Sequence, residues 1–319
     1  MKSSEIHNEN KIIVLIGVSA SGKSYYAHNY VKQHPNTIIV SRDSLRMQLF
    51  GYSESNLCNY YLNPKEKIKQ FESIVTKFQD DLIYSAIERN FDVIIDNTHL
   101  TEDYIKHYKN FGSIIQLEVI GKNIAEDILC YRNFMRTKRV SEDIIKKQLH
   151  EFKKILESKI FDEIKEFNEE LEDILKTCSY KKIEGYDCYV FDIDNTLAHK
   201  GNRSPYDYSK VSEDKSDKSV IDVLNGLKES GNSIIIVSGR DYICSKETMK
   251  WLEDNEIVYD DIYMRAEGDR RKDWIVKAEI LREIQKEFNV VGIFDDRRQV
   301  VNFNRKLGFK VFQVENGNF

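Results

Sequence analysis

At 319 residues the chain is longer than one hydrophobic core comfortably supports, and its 41% hydrophobic content suffices for two domains. A net charge of −5 excludes a general polyanion binder, so contact with nucleic acid must come from local basic clusters and be short rather than wrapping. No apolar run approaches the length of about 18 residues needed to span a bilayer. Met1–Asn10 lacks the apolar core of a secretory signal, and five cysteines without C-x-x-C spacing fit free thiols in a reduced cytoplasmic setting.

The first expected strand, Ile12–Ile16, runs directly into Gly17-Val18-Ser19-Ala20-Ser21-Gly22-Lys23-Ser24. This is a G-x-x-x-x-G-K-S loop, in which backbone N–H groups from Gly17 to Gly22 curl around phosphate oxygens. Lys23 adds a positive charge near the β- and γ-phosphates, Ser24 offers a hydroxyl to Mg²⁺, and the helix expected over Ser24–Lys32 aims its positive end at the anion. Strands over Thr37–Val40, Phe91–Ile95 and Ser113–Ile120, with a helix over Lys67–Arg89, continue the alternation. That order implies a parallel sheet covered by helices, with ligands at the carboxyl ends of its strands.

Two of those strand ends carry chemistry. After the second come Asp43 and, three residues on, Arg46. A carboxylate there can take the proton of an attacking alcohol, and Arg46 can hold an acceptor phosphate. Equally, Asp43 can be a helix N-cap with Arg46 its surface neighbour. After the third strand, Asp96 is suited to a metal, Thr98 to a substrate hydrogen bond, and His99 to either a contact or a plain loop position. Further on, Arg132, Arg136, Lys138 and Arg139 cluster within two helical turns without an acid, and Arg132 and Arg136 share one helical face. Four unopposed cations repel one another unless phosphate lies between them.

Ser141–Thr177 has helix-spaced apolar residues and would extend about 55 Å as one helix, so two or more helices are expected. Strands resume at Cys188–Phe191, Ser233–Val237, Ile262–Met264, Val290–Phe294 and Lys310–Val314, with helices over Val220–Glu229 and Ile275–Phe288. Asp192 and Asp194 follow the first of these. One can serve as nucleophile, and the other as acid for the leaving alcohol and later base for water, with Mg²⁺ screening their repulsion. Thr196 offers a hydroxyl, and Asn195 suits a left-handed turn. Ser238 and Arg240 follow a strand, Asp273 precedes a helix carrying Lys277, and Asp295-Asp296 end another strand as a metal-binding pair.

The first half, with G-x-x-x-x-G-K-S, S-R-D-x-x-R, D-N-T-x-L and R-N-x-x-R in order, resembles the kinase half of the T-even phage polynucleotide kinase/3′-phosphatase family. The resemblance implies that Asp43 is the general base for a 5′-hydroxyl and that Arg46 grips substrate phosphate. It implies that Lys23, Ser24 and Arg136 serve ATP, with Arg132 nearby in a lid. This chain has Ser19-Ala20 where Pro-Gly is frequent, a change read as lining the loop only. It also has Ser141 where a proline is usual after the lid.

F-D-x-D-x-T-L with its later partners resembles the haloacid-dehalogenase phosphatases. Arg203-Ser204-Pro205-Tyr206-Asp207, Lys250-Trp251-Leu252-Glu253-Asp254 and the terminal Phe312-Gln313-Val314 with Gly317-Asn318-Phe319 extend the phage-family likeness over nearly the whole chain. By that likeness Arg203 and Arg240 are essential phosphatase arginines, and Asp192, Asp194, Asp273, Asp295 and Asp296 form the metal site. Residues alone do not choose between Lys272 and Lys277 for the phosphate lysine, and the likeness favours Lys277.

The expectation is an α/β protein of two domains: a P-loop kinase over 1–180 and a Rossmann-like haloacid-dehalogenase phosphatase over 181–319. It would heal nucleic-acid ends with ATP and Mg²⁺, ahead of a ligase and without a membrane. The resemblance further implies a homotetramer, RNA repair and a phage-infected cytoplasm. The rival readings are a small-metabolite kinase fused to a metabolite phosphatase, and a nucleotide-operated binding module with a scaffolding second domain. The clustered acids oppose the second rival, because a scaffold has no need of them.

Overall fold

The computed structural model describes residues 10–201, 204 and 207–317. The chain divides into two compact units, Met1–Leu171 and Glu172–Phe319. Both are α/β with a parallel main sheet. No helix among the described residues is long and apolar enough to cross a membrane.

Unit 1 runs β1 (Lys11–Ile16), α1 (Lys23–Gln33), β2 (Thr37–Val40), α2 (Arg42–Phe50), α3 (Lys65–Ile87), β3 (Asp92–Ile95), α4 (Glu102–Lys106), β4 (Ile114–Val119), α5 (Glu126–Met135), α6 (Glu142–Glu157) and α7 (Ile160–Thr177), the last of which spans the division. The sheet order is β2-β3-β1-β4. Strand β1 pairs on both sides, which is why its side chains Ile12 to Ile16 are uniformly apolar and fully buried rather than alternating. The loop that follows it therefore leaves from the middle of the sheet, where β2 and β3 also end.

Within Ser141–Thr177 the helix breaks at Ser158, whose backbone is extended (φ −79°, ψ 165°). Its hydroxyl donates back to the Ile155 carbonyl at 2.9 Å and accepts from the Ile160 N–H at 3.3 Å, so one serine closes α6 and opens α7. Ser141, at the position where a proline is usual, N-caps α6 by accepting from Ile144 N–H.

His99 lies in the loop after β3, buried rather than on the surface. It is fully enclosed, its Nδ1–H donating to the Leu15 carbonyl at 2.7 Å and its Nε2 accepting from the Tyr108 hydroxyl at 2.8 Å. Burial lowers its pKa to about 4. Between pH 6.5 and 4 the unfolded chain therefore binds a proton that the folded one refuses. Stability is full above 6.5 and falls by about 3 kcal/mol as pH drops through that window. Urea unfolding at pH 7 and 4.5 measures it, and His99→Asn should show a smaller difference between the two pH values than the parent.

Unit 2 continues with β5 (Tyr186–Phe191), the short pair β6 (Ala198–His199) and β7 (Lys215–Ser216), α8 (Lys218–Glu229), β8 (Ser233–Asp241), α9 (Ser245–Asp254), β9 (Asp261–Arg265), α10 (Asp273–Ile284), β10 (Phe288–Arg297), α11 (Arg298–Lys306) and β11 (Val311–Gly317). Its main sheet is ordered β11-β10-β5-β8-β9. Strand β10 outruns the expected Val290–Phe294 and includes Asp295 and Asp296 themselves.

Phe294 lies level with Phe191 of β5 and Phe312 of β11, and the three rings stack at centroid distances of 4.3 and 4.8 Å. This stack fixes the strand register. Because side chains alternate faces along a strand, the next residues, Asp192 and Asp295, come side by side on the other face.

Candidate active sites

Unit 1 holds the first site around the loop after β1. Gly17 is there because a Cβ would lie 2.5 Å from the Ile120 carbonyl oxygen and 2.9 Å from Ser21 Oγ. Ala20 has φ 64°, a left-handed conformation that costs an alanine about 1–2 kcal/mol and a glycine nothing. The change from Pro-Gly to Ser19-Ala20 is thus not a neutral lining change as expected, since it leaves strain in the loop. Gly22, at φ 103°, turns the chain into α1.

Lys23 is buried and donates to the Val18 carbonyl at 2.7 Å. Burial, reinforced by Arg136 and Lys138, lowers its pKa to about 8 in spite of Asp96 and Asp43. A triphosphate would raise it again. Ser24 Oγ donates to Asp96 at 2.6 Å, bringing the loop hydroxyl and the β3-end carboxylate together as oxygen donors suited to Mg²⁺. Ser21 Oγ is buried without a partner, and Ser19 N–H is taken by Gln148 Oε1 of α6 at 2.8 Å. Thr98 contributes its carbonyl, which accepts from Gly17 N–H at 3.0 Å.

Asp43 does not cap α2, whose N-cap is Ser41. Its carboxylate pairs instead with Arg46 Nη1 at 2.7 Å and with Lys138 Nζ. Burial pushes its pKa up, but these two cations outweigh burial and hold it below the ordinary carboxylate range. Arg46, expected to await substrate, is also engaged by Glu72 of α3 through Nε and Nη2, both at 2.8 Å. Glu72 further accepts from Arg42 and from the Tyr60 hydroxyl, each at 2.7 Å. Burial alone would raise its pKa, yet these bonds hold it at about 2. Nothing in the sequence marks Glu72, which lies 26 residues from Arg46 inside an otherwise ordinary charged helix.

The basic cluster differs from its expected form. Helix α5 ends at Met135, and Arg136 is extended (φ −92°, ψ 156°), so Arg132 and Arg136 do not share a helical face. Arg132 is exposed on the last turn. Arg136 turns inward, its Nε donating to Asn133 at 3.1 Å while its buried Nη2 lacks a partner. The cluster is not unopposed either, because Lys138 meets Asp43.

In unit 2, the carboxylates of Asp192, Asp295 and Asp296 are buried and offer oxygens within 4.8 Å of one another. Lys277 of α10 reaches Asp192 at 2.8 Å and Asp295 at 2.7 Å, with Asp273 at 3.7 Å. Set among three carboxylates, it remains charged, its pKa raised although burial opposes this. Burial and like charges push the Asp192 and Asp295 carboxyls up. Asp296 rises to about 6 by burial and the neighbouring Asp295, and its Oδ2 is buried without a hydrogen-bond partner. An all-oxygen, charge-dense set with an unsatisfied buried oxygen fits a hard divalent cation.

The other two expected metal ligands face elsewhere. Asp194 takes both arms of Arg240, Nε at 2.9 Å and Nη2 at 2.8 Å. Asp273 pairs with Arg265 at 2.8 Å and crowds Gly239, where a Cβ would lie 2.4 Å from its Oδ1. Ser238 is buried and accepts from Arg240 N–H at 3.2 Å. Thr196 Oγ1 is buried without a partner beside Asn195, which is left-handed at φ 58°. Lys272 is exposed just before α10. Asp214, unmarked in the sequence, is a second buried partner of Arg240 at 2.8 Å. Arg203 lies outside the described residues.

Comparison with known proteins gives the two halves different relatives. Residues 186–319 match the family model described as the polynucleotide kinase PNKP phosphatase domain. Residues 12–119 match an AAA-domain model. A protein of Autographa californica nuclear polyhedrosis virus, named as a bifunctional polynucleotide kinase/RNA ligase, is 26% identical over 95% of this chain. The chain spans 42% of that relative's length. Two solved structures of a Pnkp1/Rnl/Hen1 complex, one titled an RNA repair complex, contain chains 26% and 25% identical, with full coverage of both chains and TM-scores of 0.44.

Proposed function

We propose, from the premise that a P-loop domain and a polynucleotide-kinase-type phosphatase domain share this chain, that the protein heals nucleic-acid ends. Unit 1 transfers the γ-phosphate of ATP to a 5′-hydroxyl, and unit 2 hydrolyses a 3′-phosphate. The observation that carries the reading is the pairing of Asp43 and the phosphate loop in unit 1 with a phosphatase match specific to polynucleotide kinases in unit 2.

In the first site Asp43 accepts the 5′-hydroxyl proton as that oxygen bonds to the γ-phosphorus, and the bond to the β-phosphate oxygen breaks to leave ADP. Lys23, Arg136 and the loop N–H groups spread the developing charge, Arg132 closes from the lid, and Arg46 and Thr98 face the acceptor. Ser24 and Asp96 would hold Mg²⁺, which neutralises the phosphate charge.

In the second site Asp192 attacks the 3′-phosphate, giving an aspartyl-phosphate, and the 3′-oxygen leaves with the proton of Asp194, which enters the step as the acid once Arg240 has turned from it to the phosphate. Asp194 then takes a proton from the water that frees inorganic phosphate. Arg240, Arg203, Lys277, Ser238 and Thr196 hold the phosphate oxygens, and Asp273 orients Lys277. Asp192, Asp295 and Asp296 would hold the divalent cation, which screens attacking and departing charge.

The ends so produced, 5′-phosphate and 3′-hydroxyl, are those a ligase joins, in keeping with the ligase named in the baculovirus relative. The same reading places the protein in the cytoplasm. A homotetramer is part of the same reading, and the exposed stripe Ile74, Phe78 and Leu82 on α3 is an apolar surface suited to self-association.

The test is an oligonucleotide with a 5′-hydroxyl and a 3′-phosphate, incubated with ATP and Mg²⁺ while both termini are followed. Conversion of both ends is expected. Turnover confined to nucleosides or sugars would overturn the reading in favour of a metabolite kinase–phosphatase.

A further inference from the structure

Both oxygens of the Asp43 carboxylate are engaged. Oδ1 accepts from Arg46 Nη1 at 2.7 Å, and Oδ2 is covered by Lys138 Nζ, 95 residues further along the chain. Arg46 is tethered by Glu72 and belongs to the same helix as Asp43, so that half of the arrangement is built in. Lys138 is different. It follows the end of α5, on a segment held by Asn133 contacts to Arg136 and Val140, and its side chain stays one-third exposed. A carboxylate whose second oxygen is covered by an ammonium cannot accept a hydroxyl proton at that oxygen. Lys138 also acts electrostatically on Lys23 of the loop, together with Arg136, so the three cations share one neighbourhood.

We propose that Lys138 is an interlock and a catalytic residue of the first site: it covers Asp43 until a nucleoside triphosphate arrives, then moves its ammonium to the γ-phosphoryl oxygens and leaves Asp43 Oδ2 open to the 5′-hydroxyl. The inference rests on the kinase reading of unit 1 and adds an order of events to it. A triphosphate carries several negative charges against the single one on Asp43, so the ammonium gains by moving. The proton of the alcohol then passes to Asp43, its oxygen bonds to phosphorus, and the electron pair of the broken bond leaves on ADP. Lys138 meanwhile screens the transferring oxygens without giving up a proton. Without the triphosphate the base is blocked, so water is not activated against other phosphates.

The groups that face Asp43 are Lys138 from the segment after α5, Arg46 from α2, Arg136 at the end of α5, Lys23 of the loop, and Tyr61 between α2 and α3. Lys138 and Arg46 alone hydrogen-bond it among these, and both lower its pKa.

The full-length protein and its Lys138→Met and Lys138→Arg variants provide the test. Carboxyl ¹³C NMR in the absence of nucleotide, with the Asp43 signal assigned by its loss in Asp43→Asn, should show the Asp43 midpoint about 1 pH unit higher in Lys138→Met than in the parent. A non-hydrolysable ATP analogue with Mg²⁺ should raise the parent's midpoint in the same sense. Lys138→Met should lower kcat for 5′-phosphorylation about 100-fold, change KM for ATP much less, and move the acid limb of kcat/KM to higher pH. Lys138→Arg should recover most of the rate, and circular dichroism with thermal unfolding reports that all variants are folded.

An unchanged Asp43 midpoint, an unchanged kcat, or a lower kcat with the acid limb in place would each overturn the interlock. If the midpoint shifts as stated but the parent phosphorylates no oligonucleotide, the kinase reading fails and takes the catalytic role of Lys138 with it, leaving only the nucleotide-sensitive Lys138–Asp43 ion pair.

Discussion

On the proposed function, Asp43→Ala should remove 5′-phosphorylation and leave 3′-dephosphorylation at the parent rate. The expected loss in kcat is about 10²- to 10⁴-fold, the usual contribution of a positioned base. KM for ATP should move little, because the proposed nucleotide contacts, the loop with Lys23 and Ser24, do not include Asp43. The substitution also strips Arg46 and Lys138 of their shared carboxylate. Arg46 keeps Glu72, so the helix around it should hold, and circular dichroism with thermal unfolding serves as the check on folding. Asp43→Asn keeps the shape and should be equally inactive, since an amide cannot take the proton. Equal loss of both activities in folded Asp43→Ala would refute separate sites.

Asp192→Asn does the reverse. Removing Asp192, the proposed nucleophile, should cut 3′-phosphatase turnover by more than about 10³-fold, as loss of an attacking group does elsewhere. Phosphorylation of 5′-ends should continue. A second effect follows from the charges. Asp192, Asp273 and Asp295 surround one ammonium, with Asp296 adjacent to Asp295, so anions outnumber Lys277 in a buried space. Without a cation, replacing Asp192 by the neutral amide relieves repulsion, and thermal unfolding in EDTA should occur at a higher temperature than in the parent. Addition of Mg²⁺ should stabilise the parent more than the variant, because the variant has lost one of the three carboxylates proposed to hold the cation. Equal Mg²⁺-induced shifts in melting temperature would remove Asp192 from the metal set.

What the sequence made legible was chemistry that a local backbone demands. Gly17 and Gly22 stand where a side chain collides or the backbone turns left-handed, so their spacing survives as a written pattern. Asp192 and Asp295 were legible for a related reason, since each follows a run of apolar residues whose register the phenylalanine stack sets, whereas Lys277 was preferred to Lys272 through the family likeness alone. Partners joined only through space left no such trace. Glu72 lies in mid-helix among other charges, Asp214 in a loop, and Gln148 on an amphipathic helix, yet they bind Arg46, Arg240 and Ser19. Lys138 was visible as one of four cations, but its carboxylate was not, because the two are far apart in the chain. The lid arginines were placed on one face by counting in fours. That count fails once α5 stops one residue before Arg136.

The bond from the Ser19 amide to Gln148 bears on nucleotide capture. A rim tied to a neighbouring helix has already surrendered its freedom when the chain folds, so little ordering entropy is left to lose on association. Capture at such a rim should be dominated by heat released, with a modest entropic penalty. A loosely held loop would show the opposite balance.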